Sequence, residues 1–209
     1  MPVIEAVLFD MDGVIIDTRE ATAAALAAVA GCEVDAVLHG ECVSMSPVAA
    51  LALLGVVEAR RAYDELFDEA LALAVGQVRV FEAVLSGMRE LASAGVGLGV
   101  VTAQPRRRLA FLLPESVAEL IDVVIAHEDA EPKPSPAGVL AACGRLGVAP
   151  CHAVFVGDSV TDIAAGRAAG AVTAAAAWGF GGVGPLAEAG AHVILDAPSR
   201  IGLDLLTLA

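Results

Sequence analysis

Asp10 and Asp12 close the apolar run VLF within VLFDMDGVIIDT, residues 7–18. Two apart in an extended segment, they point to the same side. Carboxylates that close repel unless one is neutral or a cation lies between them. Burying them is costly unless a cation or a reaction uses them. Three distant stretches offer complementary groups. GVVTAQP ends an apolar run in Thr102, whose hydroxyl suits a phosphate oxygen at a helix N-terminus. EPKPSP carries Lys133, the single lysine among 12 basic residues. A compact ammonium fills positions that a fork-shaped guanidinium cannot. FVGDSVTD ends a run in Asp158, with Asp162 one helical turn further on. Each piece also has an ordinary structural reading. Asp12-Gly13 suits a turn, Thr102 a helix N-cap before Pro105, and Asp162 a first helical turn. Arg106, Arg107 and Arg108 read as a solvated helical face.

Such groups meet only if the chain brings the ends of several elements together. VIEAVLFD, VGLGVVT, DVVIAH, HAVFVGD, AVTAAAA and AHVILDA read as buried strands. Amphipathic stretches at 82–94, 105–113, 136–146 and 160–169 read as helices between them. Strand then helix, repeated, predicts an α/β fold, a doubly wound parallel sheet covered on both faces. In such sheets ligands bind beyond the carboxyl ends of the strands, where Asp10, Thr102, Lys133 and Asp158 all fall. Ser135-Pro136 marks a helix start, and Gly147 and Gly170 mark helix ends. Between about 16 and 79 the alternation stops and the pattern is helical throughout, with no strand. The expected organisation is a core of 1–15 and 80–209 with an inserted helical domain, 16–79.

Apolar residues make up 57% of the 209, and aromatics only 4%. That is a globular chain with an aliphatic core, poor in stacking platforms for single-stranded nucleic acid. A net charge of −14 disfavours nucleic-acid and anionic-membrane surfaces. It also requires a local cation for any anionic substrate. The four cysteines show no CxxC or metal-ligand spacing and are expected to be reduced thiols. MPVIEAV lacks a leader pattern and the Ala-rich run at 21–30 is too short to span a bilayer, so a cytoplasmic protein is expected. The arginine bias is compatible with a high-GC bacterial genome.

DMDGV, the strand ending in Thr102, the KP pair at 133–134 and GDSVTD together resemble the four motifs of the haloacid dehalogenase superfamily of phosphotransferases. The resemblance spans nearly the whole chain and includes the helical insertion after the first motif, similar to that family's helical cap on a Rossmann-like core. It implies a phosphatase acting on a small-molecule phosphate monoester. Asp10 is then the nucleophile, forming an aspartyl-phosphate. Asp12 is the acid that protonates the leaving oxygen and then the base for water. Mg2+ is implied on Asp10, Asp158 and the backbone carbonyl of Asp12. Asp162 holds a metal-bound water or orients Lys133, Thr102 binds the phosphoryl group, and Lys133 offsets charge on Asp10 and phosphate. A cis Lys133–Pro134 bond is a further expectation.

In that family the cap selects the leaving group. No Lys or Arg occurs from Glu20 to Ala59. The cap segment LHGECVSMSP offers His39, Ser44 and Ser46, and Ala103 lies beside Thr102 on the core side. Neither a second phosphate nor a substrate carboxylate finds an evident anchor there, with Arg19, Arg60, Arg61 and Arg79 only at the cap's edges. The expected substrate therefore has a neutral, apolar or cationic remainder. DGV and GQVRVFEAV are similar to the β-phosphoglucomutase-like branch, so a phosphomutase is the alternative; a weaker likeness points to phosphatases of aminohydroxybenzoate biosynthesis. A dehalogenase would not need Asp12 or magnesium. A receiver-like phospho-acceptor would be shorter, without a cap. A monomer or homodimer is expected.

Overall fold

The computed structural model describes residues 3–38, 42 and 45–207. Six parallel strands form the main sheet: β1 (Ala6–Phe9), then, past two short strands β2 (Ile16–Asp17) and β3 (Arg79–Val80), β4 (Gly97–Val101), β5 (Val123–Ile125), β6 (Ala153–Gly157), β7 (Val172–Ala176) and β8 (Val193–Leu195). Their order is β5-β4-β1-β6-β7-β8. The chain fills one side of β1 and then crosses to the other, the topology of a Rossmann-like doubly wound sheet. The six strands are those anticipated from the apolar runs. The residues of β1, β4, β6 and β7 are nearly all buried, as both-face coverage demands, while the edge strand β8 is mostly half-buried.

Helices Glu82–Ser93, Arg106–Leu112, Ala137–Leu146 and Val160–Ala169 occupy the anticipated stretches. Gly147 and Gly170 end their helices in the left-handed conformation. The helix expected from Pro136 starts one residue later, with Ser135 Oγ accepting from the Ala137 N–H at 3.3 Å. A core cluster joins Leu8, Val101 and Phe155 of the sheet to Val139 and Ala142 of one helix and Ala165 of another. It fixes both helices, and hence the loops that precede them, against the strand tips.

The chain forms two compact units: 1–16, 80–109 and 113–209 in one, 17–79 with 110–112 in the other. The second unit is helical, with Arg19–Ala30, Val34–Leu38, Pro47–Leu53, Ala59–Ala62 and Asp68–Leu73, and one π-helical turn at Tyr63–Phe67. The absence of strand expected for 16–79 needs correction. β2 and β3 pair as a two-stranded sheet where the chain leaves and re-enters the first unit. At two residues each they are too short to leave a period in the sequence. Among the described residues no helix is long and apolar enough to cross a membrane.

Candidate active site

Register decides what meets at the sheet's carboxyl edge. Phe9 of β1 pairs with Val100 of β4 and with Val156 of β6. The residues that follow these positions therefore reach one edge, Asp10 from β1, Thr102 from β4 and Asp158 from β6. The Asp10 N–H donates to the Val156 carbonyl at 2.8 Å, and the Thr102 N–H to Ile125 at 3.0 Å. Lys133 arrives from the loop before helix Ala137–Leu146, and its bond to Pro134 is cis. Its Nζ donates to Asp10 Oδ1 at 2.7 Å and lies 2.6 Å from Asp162 Oδ1. Asp162 Oδ2 accepts from Ser159 N at 3.0 Å and Ser159 Oγ at 2.5 Å, the reciprocal capping that starts helix Val160–Ala169. A helix cap thus holds one oxygen of Asp162 and turns the other toward Lys133.

The loop 177–182, which the sequence reading passed over, completes the surroundings of Asp158. Its Oδ2 accepts from the Phe180 N–H at 2.6 Å. Gly13 has φ +82, and a Cβ there would lie 2.1 Å from Asp158 Oδ2. A Cβ on Gly181 would lie 2.1 Å from the Asp158 carbonyl oxygen. Glycine is required at both places, at Gly13 for conformation as well as space. The DG turn is thus also the floor against which Asp158 packs.

Asp10, Asp158 and Asp162 are 7%, 4% and 1% exposed, so their charges are little screened. Burial raises the Asp10 pKa well above the ordinary carboxylate range; Lys133 opposes the rise, and Asp162, Asp12 and Asp158 add to it. Burial also raises Asp158, to about 6. Burial works to lower Lys133, but the charges of Asp10 and Asp162 outweigh it and hold the ammonium above its ordinary value. One ammonium cannot neutralise this many carboxylates, and the remaining charge calls for protons or a cation.

The donor set fits a hard divalent cation. Oxygens of Asp10, Asp158 and Asp162 all lie within 4.8 Å of one another. Asp162 Oδ1 is buried with no aligned hydrogen bond, and among the described residues its charge partner is Lys133. Carboxylate oxygens alone, without nitrogen or sulfur, match Mg2+ or Ca2+ rather than softer ions. Among the described residues the side-chain grouping is these three. The carboxylate of Asp12 instead accepts from Gln104 Nε2 at 3.1 Å.

Thr102 does not cap the following helix, which Pro105 flanks. Its Oγ1 accepts from the Gln104 N–H at 3.1 Å, so its own proton is directed elsewhere, as phosphate binding requires. Thr102, the exposed Ala103, His127 and Lys133 line one recess. In the helical unit Ser46 Oγ accepts from Ala49 N at 3.4 Å and caps Pro47–Leu53. His39 and Ser44 lie outside the described residues. The reading of Arg106–Arg108 as a solvated face holds only in part. Arg106 and Arg107 are exposed, but Arg108 is 4% exposed and donates to Gln104 Oε1 at 3.3 Å. The sequence reading misses Gln104 and takes Arg108 only as part of the solvated face. Gln104 lies in the bend before helix Arg106–Leu112, so no helical spacing in the sequence ties the two together.

Comparison with known proteins bears on the same residues. The family model described as haloacid dehalogenase-like hydrolase matches residues 4–170. The chain is 34% identical over 209 residues to the phosphoglycolate phosphatase of Xanthomonas campestris pv. campestris strain 8004, covering 94% of each. It is 31% identical over 220 residues to the N-acetylmuramic acid 6-phosphate phosphatase of Pseudomonas aeruginosa, covering 99% of this chain and 96% of that one. Among solved structures, a HAD family hydrolase from Deinococcus radiodurans with bound phosphate and sodium superposes with a TM-score of 0.78 at 24% identity. That alignment covers 100% of this chain and 97% of the other.

Proposed function

This chain belongs to the haloacid dehalogenase-like hydrolase family and is a hydrolase of phosphate esters; we propose that it cleaves a small-molecule monoester through an aspartyl-phosphate on Asp10, with Mg2+ as its cation. The observation that carries this reading is the seat of Lys133 Nζ, at 2.7 Å from Asp10 and 2.6 Å from Asp162, beside Asp158 at one sheet edge.

Asp10 attacks phosphorus, and the bond to the ester oxygen breaks. Asp12 gives that oxygen its proton, so an alcohol rather than an alkoxide departs. Asp12, now a carboxylate, takes a proton from water as the water attacks phosphorus, and the bond to Asp10 breaks. Phosphate leaves, Asp12 is protonated again and Asp10 is again a carboxylate. Thr102 donates its hydroxyl proton to a phosphoryl oxygen, and Lys133 offsets the negative charge gathered on Asp10 and the transferring group. Mg2+ held by Asp10 and Asp158, with the Asp12 carbonyl as a further ligand, would supply charge neutralisation and alignment of the phosphoryl group. Asp162 keeps Lys133 in place, itself held by Ser159.

The substrate remainder is neutral, apolar or cationic in this reading. Besides the lysine- and arginine-free stretch, the arginines of the helical unit are committed to carboxylates of the same unit. Arg19 pairs with Asp17, Arg79 with Glu20, Arg60 with Asp64, and Arg61 with Glu58 and Glu65. Relatives at similar identity bear different substrate names, so the family does not fix the choice.

The test is turnover of p-nitrophenyl phosphate with and without Mg2+, for the wild type and Asp10→Asn. The expected result is Mg2+-dependent release of phosphate by the wild type and a loss of about a thousandfold or more in the variant. Equal rates in both would remove Asp10 from the reaction. A panel of esters then tests the substrate class, and a preference for phosphoglycolate or a bisphosphate would overturn that part alone.

A further inference from the structure

We propose that Gln104 is a positioning residue for the leaving-group step, holding the Asp12 carboxyl in one fixed orientation through an amide whose own direction is set by Arg108. The inference rests on the phosphatase reading above, in which Asp12 protonates the leaving oxygen.

Two hydrogen bonds and the proline that follows fix Gln104 before its side chain is considered. Its N–H donates to Thr102 Oγ1 at 3.1 Å, and its carbonyl accepts from the His127 N–H at 3.1 Å. Pro105 follows and restricts its backbone to the extended region. The side chain then spans two partners. Nε2 reaches Asp12 Oδ2 at 3.1 Å, and Oε1 accepts from Arg108 Nη1 at 3.3 Å.

An amide can be turned either way, but here only one direction satisfies both neighbours. Arginine donates and never accepts, so the oxygen must face Arg108. The NH2 group must therefore face Asp12. Arg108 is 4% exposed and reaches back from the first turn of helix Arg106–Leu112 to Gln104 Oε1, so the amide cannot easily swing away. The consequence is a fixed donor on one oxygen of Asp12, which locks rotation of that carboxyl about its Cβ–Cγ bond. General acid catalysis depends on the proton meeting the departing oxygen at hydrogen-bond distance and in line. A carboxyl free to rotate would spend much of its time misaligned. The hydrogen bonds of Gln104 go to Thr102, Asp12, Arg108 and His127, and not to Asp10 or Asp158. Its effect should therefore fall on departure of the alcohol and not on substrate binding.

That distinction gives a readout that a merely structural role would not move. p-Nitrophenolate is a stable anion and leaves with little need of a proton. An alkoxide, as from glycerol 2-phosphate, must be protonated as it leaves. Gln104→Met keeps the length and removes the donor. Gln104→Glu keeps the shape and the acceptor for Arg108 but offers Asp12 no proton. In both, the ratio of kcat on glycerol 2-phosphate to kcat on p-nitrophenyl phosphate should fall about tenfold or more, the loss of one charge-assisted hydrogen bond. KM should stay close to wild type in both variants, and so should the melting temperature of Gln104→Met, which adds no charge beside Asp12. An equal loss on both esters, a loss confined to KM, or no loss on either would overturn the inference. If the wild type turns over neither ester, the phosphatase reading fails first and takes this one with it, a result visible before any variant is made.

Discussion

At the scale of single residues, the site depends on fit as much as on charge. Lys133 Nζ stands within 2.7 Å of two carboxylates while its side chain is only 12% exposed. A guanidinium carries the same charge but is planar, larger and must place five donors. Lys133→Arg should therefore fold and yet lose about a hundredfold or more in kcat, measured on an aryl phosphate at saturating Mg2+. Retained activity would show that charge alone suffices. Gly13 makes the complementary point about space. Its φ of +82 and the 2.1 Å approach to Asp158 leave no room for a methyl group. Gly13→Ala should lower the melting temperature, since the left-handed conformation alone costs roughly 1–2 kcal/mol. It should also raise the Mg2+ concentration needed for half-maximal activity, because Asp158 must move. A variant with wild-type Mg2+ dependence would show that Asp158 is not a ligand.

Elements do the positioning. Helix Val160–Ala169 is started by Ser159 and Asp162 capping each other, and the same Asp162 steadies Lys133. Stability and activity are thus joined in one turn of helix. Ser159→Ala should cost about 1 kcal/mol, the usual value of an N-cap, which for a chain of this size is a fall of roughly 2–4 °C in melting temperature. It should lower kcat as well, because the Asp162 carboxylate loses the hydroxyl that fixes it. A melting change with no change in kcat would separate the cap from the site. β1 illustrates the same dependence from the sheet side. Its hydrogen bonds to β4 and β6 on both edges fix Asp10 between Thr102 and Asp158, whereas an edge strand would leave it bound on one side only.

At the scale of the whole molecule, a chain of net charge −14 gathers buried carboxylates at one edge of its sheet and gives them one ammonium. Without a cation this costs stability, and the sign follows from Asp158. Its pKa is about 6 folded against an ordinary 3.8, so the folded chain keeps this proton longer than the unfolded chain. Between those two pH values stability falls as pH rises, and above about 6 the full penalty is present. Asp10 shifts in the same direction. Mg2+ should therefore raise the melting temperature more at pH 7.5 than at pH 5, where it must displace protons. A shift independent of pH would place the ion elsewhere. The six strands, their parallel arrangement and the polar residues at or after four of their ends were legible in the residues themselves, but not the order of the strands in the sheet. Apolar runs, and the carboxylate or hydroxyl that ends three of them at Asp10, Thr102 and Asp158, are local signals that need no partner to be seen. The packing of loop 177–182 on Asp158, the two-residue strands at the unit boundary and the Asp12–Gln104–Arg108 chain were not legible. Each depends on which atoms come within hydrogen-bond distance, and that is decided only when strand register and helix packing bring separate segments together, 22 positions apart for Phe180 and Asp158 and 92 for Gln104 and Asp12.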